Sequence, residues 1–175
     1  MRGRHSKIEL RNGIIIKKFH SQFRYNFWKE LAFLNILQPF SFVPRLYNSD
    51  QDRLTIKMEY VEGLHVGDVI EDLGQEQIGE ILDACRTLDR LSIQKEEMNR
   101  PDRHIIIGER IAFVDFERSV IKDRPSNLTQ FLVYLNSRRK VMERSELVSI
   151  TRDYKRCFNN KRYADIKERV LRQIE

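Results

Sequence analysis

The chain has 175 residues, of which 41% are hydrophobic and 33% charged, with a formal net charge of +6 and a pI near 9.4. This balance excludes intrinsic disorder and low-complexity architecture, and it supplies a core for one domain or two small lobes without disulfides. Cys85 and Cys157 carry no pairing signal, the amino terminus has no apolar signal region, and no run approaches the ~18 apolar residues of a membrane span; the expectation is a reduced, cytoplasmic protein.

The elements read as follows in chain order. Ile8 and Leu10 supply a strand, Asn12-Gly13 a hairpin turn, and Ile14 to Ile16 the returning strand. Phe27, Leu31, Leu34 and Leu37 recur at helical spacing until Pro39 stops the run. Strand-like segments follow at 45–48 and 54–61. After the break at Glu62-Gly63, a short helix over 66–73 is expected to close on Gly74 as its C-cap. Ile78, Ile81, Leu82, Cys85, Leu88 and Leu91 then form a long amphipathic stripe. Two short strands at 105–107 and 111–116 flank a turn at Gly108-Glu109. Asn127 with Gln130 reads as a capping box opening a further helix. Two last helices carry stripes at Leu147, Ile150, Tyr154 and Phe158, and at Tyr163, Ile166, Val170 and Ile174. The order predicts an α+β, two-lobed chain: residues 1–61 as strands plus one helix, and 62–175 as a mostly helical lobe.

The positive charge raises the odds of an anionic partner such as a nucleotide, RNA or an acidic protein. The most basic stretch, 152–162, interleaves Lys155, Arg156 and Lys161 with Tyr154 and Phe158. That pattern fits an amphipathic helix pair better than a nucleic-acid surface.

Phosphoryl transfer requires a cation on the nucleotide phosphates, a partner that positions it, a carboxylate for Mg²⁺ and a group orienting the acceptor hydroxyl. Candidates occur in that order. In "GIIIKKF", Lys17 shares a strand face with Ile15, so Ile15 can roof an adenine while Lys17 reaches phosphates; Lys18 is set aside because Ile14 and Ile16 should be buried on its face. Glu30, in "FWKELAFLNIL", is the only acid between Glu9 and Asp50 and can hold Lys17 extended. "LTIKMEYVEG" is an apolar strand entering a link, where Glu59 C=O and Val61 N–H can read an adenine edge and Met58 can line the pocket. "IAFVDFERS" places Asp115 at a strand end, eleven residues after His104 in "MNRPDRHIII".

This succession resembles the eukaryotic-type protein-kinase fold over about residues 3 to 135. It is most similar to the compact predicted Ser/Thr kinases of archaea, which resemble the RIO and KEOPS-complex kinases. The resemblance implies ATP and Mg²⁺ as cofactors, a truncated N-lobe sheet and a small helical C-lobe. It implies that Lys17 anchors phosphates, Glu30 is its helix partner, 59–61 is the hinge and Asp115 is the metal-binding aspartate of D-F-G. Aligning "HIII" with N-I-L-V places His104 at a Mg²⁺-binding asparagine and Asn99 at the catalytic aspartate. An asparagine cannot take a proton as a carboxylate does, so either Asp102 assumes the role from a shifted loop or the role is vacant. "RGRHSKI" stands where a Gly-rich loop is expected and keeps only Gly3, and Glu117 replaces the glycine of D-F-G. The functional expectation is an ATP-dependent Ser/Thr kinase with a protein substrate. The alternative is a pseudokinase that binds nucleotide or a partner protein without turnover. Small-molecule phosphorylation and RNA binding rank behind both.

Overall fold

The computed structural model describes residues 5–174; Gly3 of the expected Gly-rich loop lies outside them. In chain order these form β1 (Ser6–Arg11), β2 (Ile14–Phe19), α1 (Arg24–Leu37), β3 (Leu46–Asp50), β4 (Thr55–Glu59), β5 (Leu64–His65), α2 (Val66–Val69), α3 (Gln75–Arg90) and β6 (Ile93–Gln94). Then come β7 (Ile105–Ile107), β8 (Ile111–Phe113), β9 (Val120–Ile121), α4 (Asn127–Arg139), α5 (Arg144–Arg156) and α6 (Asn160–Leu171). None of the described helices is long and apolar enough to cross a membrane. The elements group into two compact units, residues 5–63 with 105–119, and 64–104 with 120–174. Residues 105–119 thus follow the 61/62 boundary in sequence but pack with the first unit.

The first unit is an antiparallel sheet in the order β1-β2-β4-β3 with α1 against it. Asn12 (φ 50°) and Gly13 (φ 75°) both take left-handed backbone, which is what a two-residue hairpin turn demands. The buried face of β2 carries Lys17 and Phe19, while Ile14 and Ile16 are only half-buried. The expectation that Ile14 and Ile16 would be buried therefore fails. Their face is the outer one, shared with Lys18, where Ile14 stands across from Glu59 and Ile16 across from Lys57. Phe27, Leu31, Leu34 and Leu37 of α1 meet Phe19, Ile56 and Met58 in the core. The β7–β8 hairpin joins this unit through Phe113, whose N–H donates to Phe42 C=O at 2.7 Å.

In the second unit α3 packs against α4 and α6, burying Ile78, Ile81, Leu82, Cys85 and Leu88 completely. Gly74 does not close the preceding helix as expected. It lies in extended conformation as the N-cap of α3, and its N–H donates to Gln77 Oε1 at 3.0 Å. The capping box expected at Asn127 is also absent. Helix α4 starts with Ser126 as N-cap, and the cap comes from a distance. Asp89, at the end of α3, accepts the backbone N–H groups of Asn127 (2.9 Å) and Leu128 (3.2 Å), the Asn127 side-chain amide (2.7 Å) and the Tyr154 hydroxyl (3.0 Å). A carboxylate at a helix N-terminus satisfies orphan donors and complements the helix dipole. Asn127 then accepts the Lys95 N–H at 2.8 Å and donates to Ile93 C=O at 2.7 Å, so β6 and the chain after it are fastened to the same carboxylate. Tyr154, in the basic aromatic stretch, is turned inward to this hub, and Arg86 donates to its hydroxyl at 3.0 Å.

Asp89 is almost fully buried, so Asp89→Ala leaves four donors unsatisfied. The expected loss in a urea unfolding experiment is about 3 kcal/mol, well above the effect of a surface substitution. A loss below about 1 kcal/mol would remove Asp89 from this position in the fold.

Candidate functional site

Lys17 lies in the middle of the sheet, opposite Ile8 of β1 and Ile56 of β4, and its side chain is buried. Its Nζ donates to Glu30 Oε2 at 2.6 Å and Asp115 Oδ1 at 3.1 Å, with Glu117 Oε2 at 3.4 Å. Glu30 is brought there because it shares the buried side of α1 with Phe27 and Leu34, three and four residues away. Asp115 and Glu117 flank Phe116, which is fully buried and pins the segment after β8. Asp115 itself has φ 65°, a left-handed conformation rare for a non-glycine residue, and its side chain is 40% exposed. On its far side Glu117 meets His5 through Oε1 and the imidazole Nδ1.

One ammonium therefore stands among three carboxyl groups. Burial alone would lower the Lys17 pKa, but Glu30, Asp115 and Glu117 outweigh it and hold the ammonium well above its ordinary range, so it stays charged. Burial pushes the Glu30 carboxyl up to about 7, with Asp115 and Glu117 adding to the rise against the pull of Lys17. The excess of negative charge suits a cation. One oxygen each from Glu30, Asp115 and Glu117 lie within 4.8 Å of one another, and an all-carboxylate donor set matches the hard oxygen preference of Mg²⁺.

The expected hinge lies beside a groove of about 600 Å³ lined by Glu59 to Gly63 and Gly108 to Arg110. Met58 is buried behind it, and Val61 is half-exposed. The Glu59 side chain is engaged: Arg110 donates to Oε2 at 2.6 Å and the Arg45 N–H at 2.9 Å. Burial opposes ionisation there, but these donors hold the carboxyl below its usual range. Backbone closes on backbone at the rim, since a Cβ on Gly108 would stand 2.1 Å from Glu62 O. Only glycine permits that approach.

Asn99, Asp102 and His104 belong to the second unit. Asn99 is exposed. Asp102 is fastened: Tyr134 Oη donates to its Oδ1 at 3.0 Å, and its carbonyl accepts the Gly67 N–H at 3.1 Å. A Cβ on Gly67 would come within 2.7 Å of Asp102 Cβ, so α2 and α4 both grip this residue. Burial, then the Asp102 carboxylate, raise the Tyr134 hydroxyl well above its ordinary range, so it remains a donor. His104 Nε2 lies 2.9 Å from Glu97 Oε2.

The structure thus brings Lys17, Glu30 and Asp115 together in the first unit, and in the second it pairs Asp102 with Tyr134 and His104 with Glu97. Sequence reasoning read Glu117 only as a replaced glycine, and it did not single out His5, Glu97, Tyr134 or Gly67. A signal existed for Glu117, an acid two residues after Asp115 on the same extended segment; none existed for His5, which arrives from 112 residues away.

No protein-family profile and no curated protein matches this chain. Solved structures do. A complex of WbdD with the kinase inhibitor LY294002 superposes with a TM-score of 0.71 at 17% identity, over 98% of this chain and 44% of that one. A structure of the bifunctional kinase–methyltransferase WbdD superposes with a TM-score of 0.69 at 16% identity, over 97% and 43%. The chain spans less than half of WbdD, and the likeness assigns it a kinase-like fold.

The charge imbalance at Lys17 is measurable without any nucleotide. Lys17→Met leaves buried carboxyls without their cation, with an expected cost of about 3–5 kcal/mol. Glu117→Gln removes one of three competing negative charges and is expected to raise the melting temperature in EDTA. Added Mg²⁺ should stabilise the wild type more than Glu117→Gln; equal stabilisation of the two would exclude Glu117 from cation binding.

Proposed function

We propose that this kinase-like fold is an ATP- and Mg²⁺-dependent phosphotransferase acting on a Ser/Thr hydroxyl of a protein substrate. The observation that carries the reading is the buried Lys17–Glu30 pair with Asp115 in reach of the same ammonium. Burying an ion pair is a poor way to gain stability, because desolvation offsets the attraction. An apolar pair would serve the sheet and α1 at least as well, so its presence in the core fits a functional demand. In this reading Lys17, oriented by Glu30, neutralises nucleotide phosphates, and Asp115 with Glu117 holds Mg²⁺, which supplies charge neutralisation at the phosphates. Met58 backs the adenine and the backbone of Glu59 and Val61 reads its edge.

A non-catalytic nucleotide-binding role is the second reading. It is favoured by Asn99, which offers no proton acceptor, and by the engagement of Asp102 with Tyr134. Binding and transfer separate the two.

Isothermal titration with ATP and Mg²⁺ is expected to show binding by the wild type and at least tenfold weaker binding by Lys17→Ala. Transfer of labelled γ-phosphate to protein should fall more than a hundredfold in Asp115→Asn. Equal label in wild type, Lys17→Ala and Asp115→Asn would sink the assignment, and binding without transfer by the wild type would favour the second reading.

A further inference from the structure

The face of the first unit's sheet that turns away from Lys17 forms a groove of about 970 Å³. The strand register sorts its side chains into rows, because residues directly opposite one another point to the same face. One row runs Lys7 of β1, Lys18 of β2, Thr55 of β4 and Asp50 of β3. The next runs Glu9, Ile16, Lys57 and Asn48. Every one of these residues belongs to the first unit.

Charge on this face is unevenly matched. On β1, Glu9 takes both Lys7 and Arg11, each at 2.6 Å, and at the other flank Asp50 takes Arg53 at 3.7 Å. Lys18 and Lys57, on the two central strands, are exposed and have no ion-pair partner among the described residues. Lys7 also stands directly opposite Lys18, and like charges so placed destabilise an antiparallel pair. Lys57 is the diagonal neighbour of Lys18 across β2 and β4, about 7–8 Å away between Cβ atoms, a gap that two lysine stems close around one anion.

The same geometry selects among anions. A nucleic acid or an acidic peptide laid across the strands would run into Glu9 on one side and Asp50 on the other. The described lining residues include no aromatic ring on which a base could stack. A compact phosphate avoids both carboxylates, and its charge of about −2 at neutral pH matches the two unpaired ammoniums. A phosphate fills only a small part of the groove, and the rest of the lining offers amide and hydroxyl groups from Asn48, Ser49 and Gln51.

We propose that this face binds a small phosphomonoester with a hydroxylated body. Lys18 and Lys57 take the phosphate as point charges, and Asn48 and Gln51 pair with the hydroxyls. The site does not depend on the phosphotransferase reading, since Lys17 is buried on the other side of β2.

The test is isothermal titration of the full chain with ribose 5-phosphate and glycerol 3-phosphate, and separately with ribose and inorganic phosphate. At least one ester is expected to bind about tenfold more tightly than inorganic phosphate, and ribose alone should not bind. The double variant Lys18→Gln/Lys57→Gln should weaken that ester by about tenfold or more. Lys155→Gln/Lys161→Gln removes the same charge from exposed positions elsewhere and should bind the ester as the wild type does. All four lysines are exposed, so both variants should melt close to the wild type. Equal losses in the two double variants, or inorganic phosphate binding as tightly as the esters, overturns the proposal. So does a wild type that binds neither ester, or a single-stranded oligonucleotide that displaces the ester at lower concentration than the ester itself requires.

Discussion

An ammonium group enters a protein core only with carboxylates to receive it, and the first unit is arranged around that constraint. Lys17 stands in the second strand of a four-stranded sheet, where an apolar residue would pack without cost. Its burial requires α1 to present Glu30 at the matching level. It also requires the segment after β8 to bring Asp115 and Glu117 to the same point. At an effective dielectric near 20, each opposite charge at about 4 Å is worth about 4 kcal/mol before desolvation is subtracted. Three carboxyls around one cation overshoot neutrality, which adds to the rise that burial imposes on the Glu30 carboxyl. The cluster keeps an excess of negative charge beside its one ammonium.

The second unit solves a different problem, how to anchor the loop between β6 and β7. Asp89 does this by capping a helix that begins 38 residues later in sequence. The cap fixes Asn127, and Asn127 fixes the backbone at Ile93 and Lys95, so the loop departs from a rigid base. Gln94 extends the same fastening by accepting the Ser126 N–H at 2.8 Å. Tyr134 and Gly67 perform the equivalent service at Asp102.

Much of this was legible in the sequence where one local rule decides. Asn12-Gly13 dictates its hairpin, the stripe of Phe27, Leu31, Leu34 and Leu37 dictates α1, and alternation sets Lys17 (with Ile15) and Lys18 on opposite faces of β2. The failures come where a distant group overrides the local signal. Asn127 and Gln130 have the spacing of a capping box, but a carboxylate from α3 takes the cap. Gly74 looks like a helix end because glycine often is, yet it opens the next helix in extended conformation. Ile14 and Ile16 look like core, but a sheet covered on one side leaves its other face to half-buried apolar residues among charged stems. The place of Glu117 beside Lys17 and His5 was hidden for a related reason, since it depends on backbone direction and on partners far away in sequence, neither of which residue spacing encodes.

Backbone direction also sets Asp115 apart from the other described acids of the first unit. Six non-glycine residues among those described have positive φ. Asn12 and Leu54 sit in turns between strands, Ser92 follows the end of α3, and Lys140 caps α4. At those places reversal of the chain or closure of a helix demands the left-handed conformation. Glu97 opens the turn that the Arg100 N–H closes on its C=O, whereas Asp115 lies in an extended segment between β8 and β9 beside the fully buried Phe116. A residue pinned beside a buried apolar anchor can direct its carboxylate away from the core only by bending the backbone against its preference. The fold bears that strain at Asp115, whose carboxylate stays 3.1 Å from the Lys17 ammonium while 40% of its side chain is exposed.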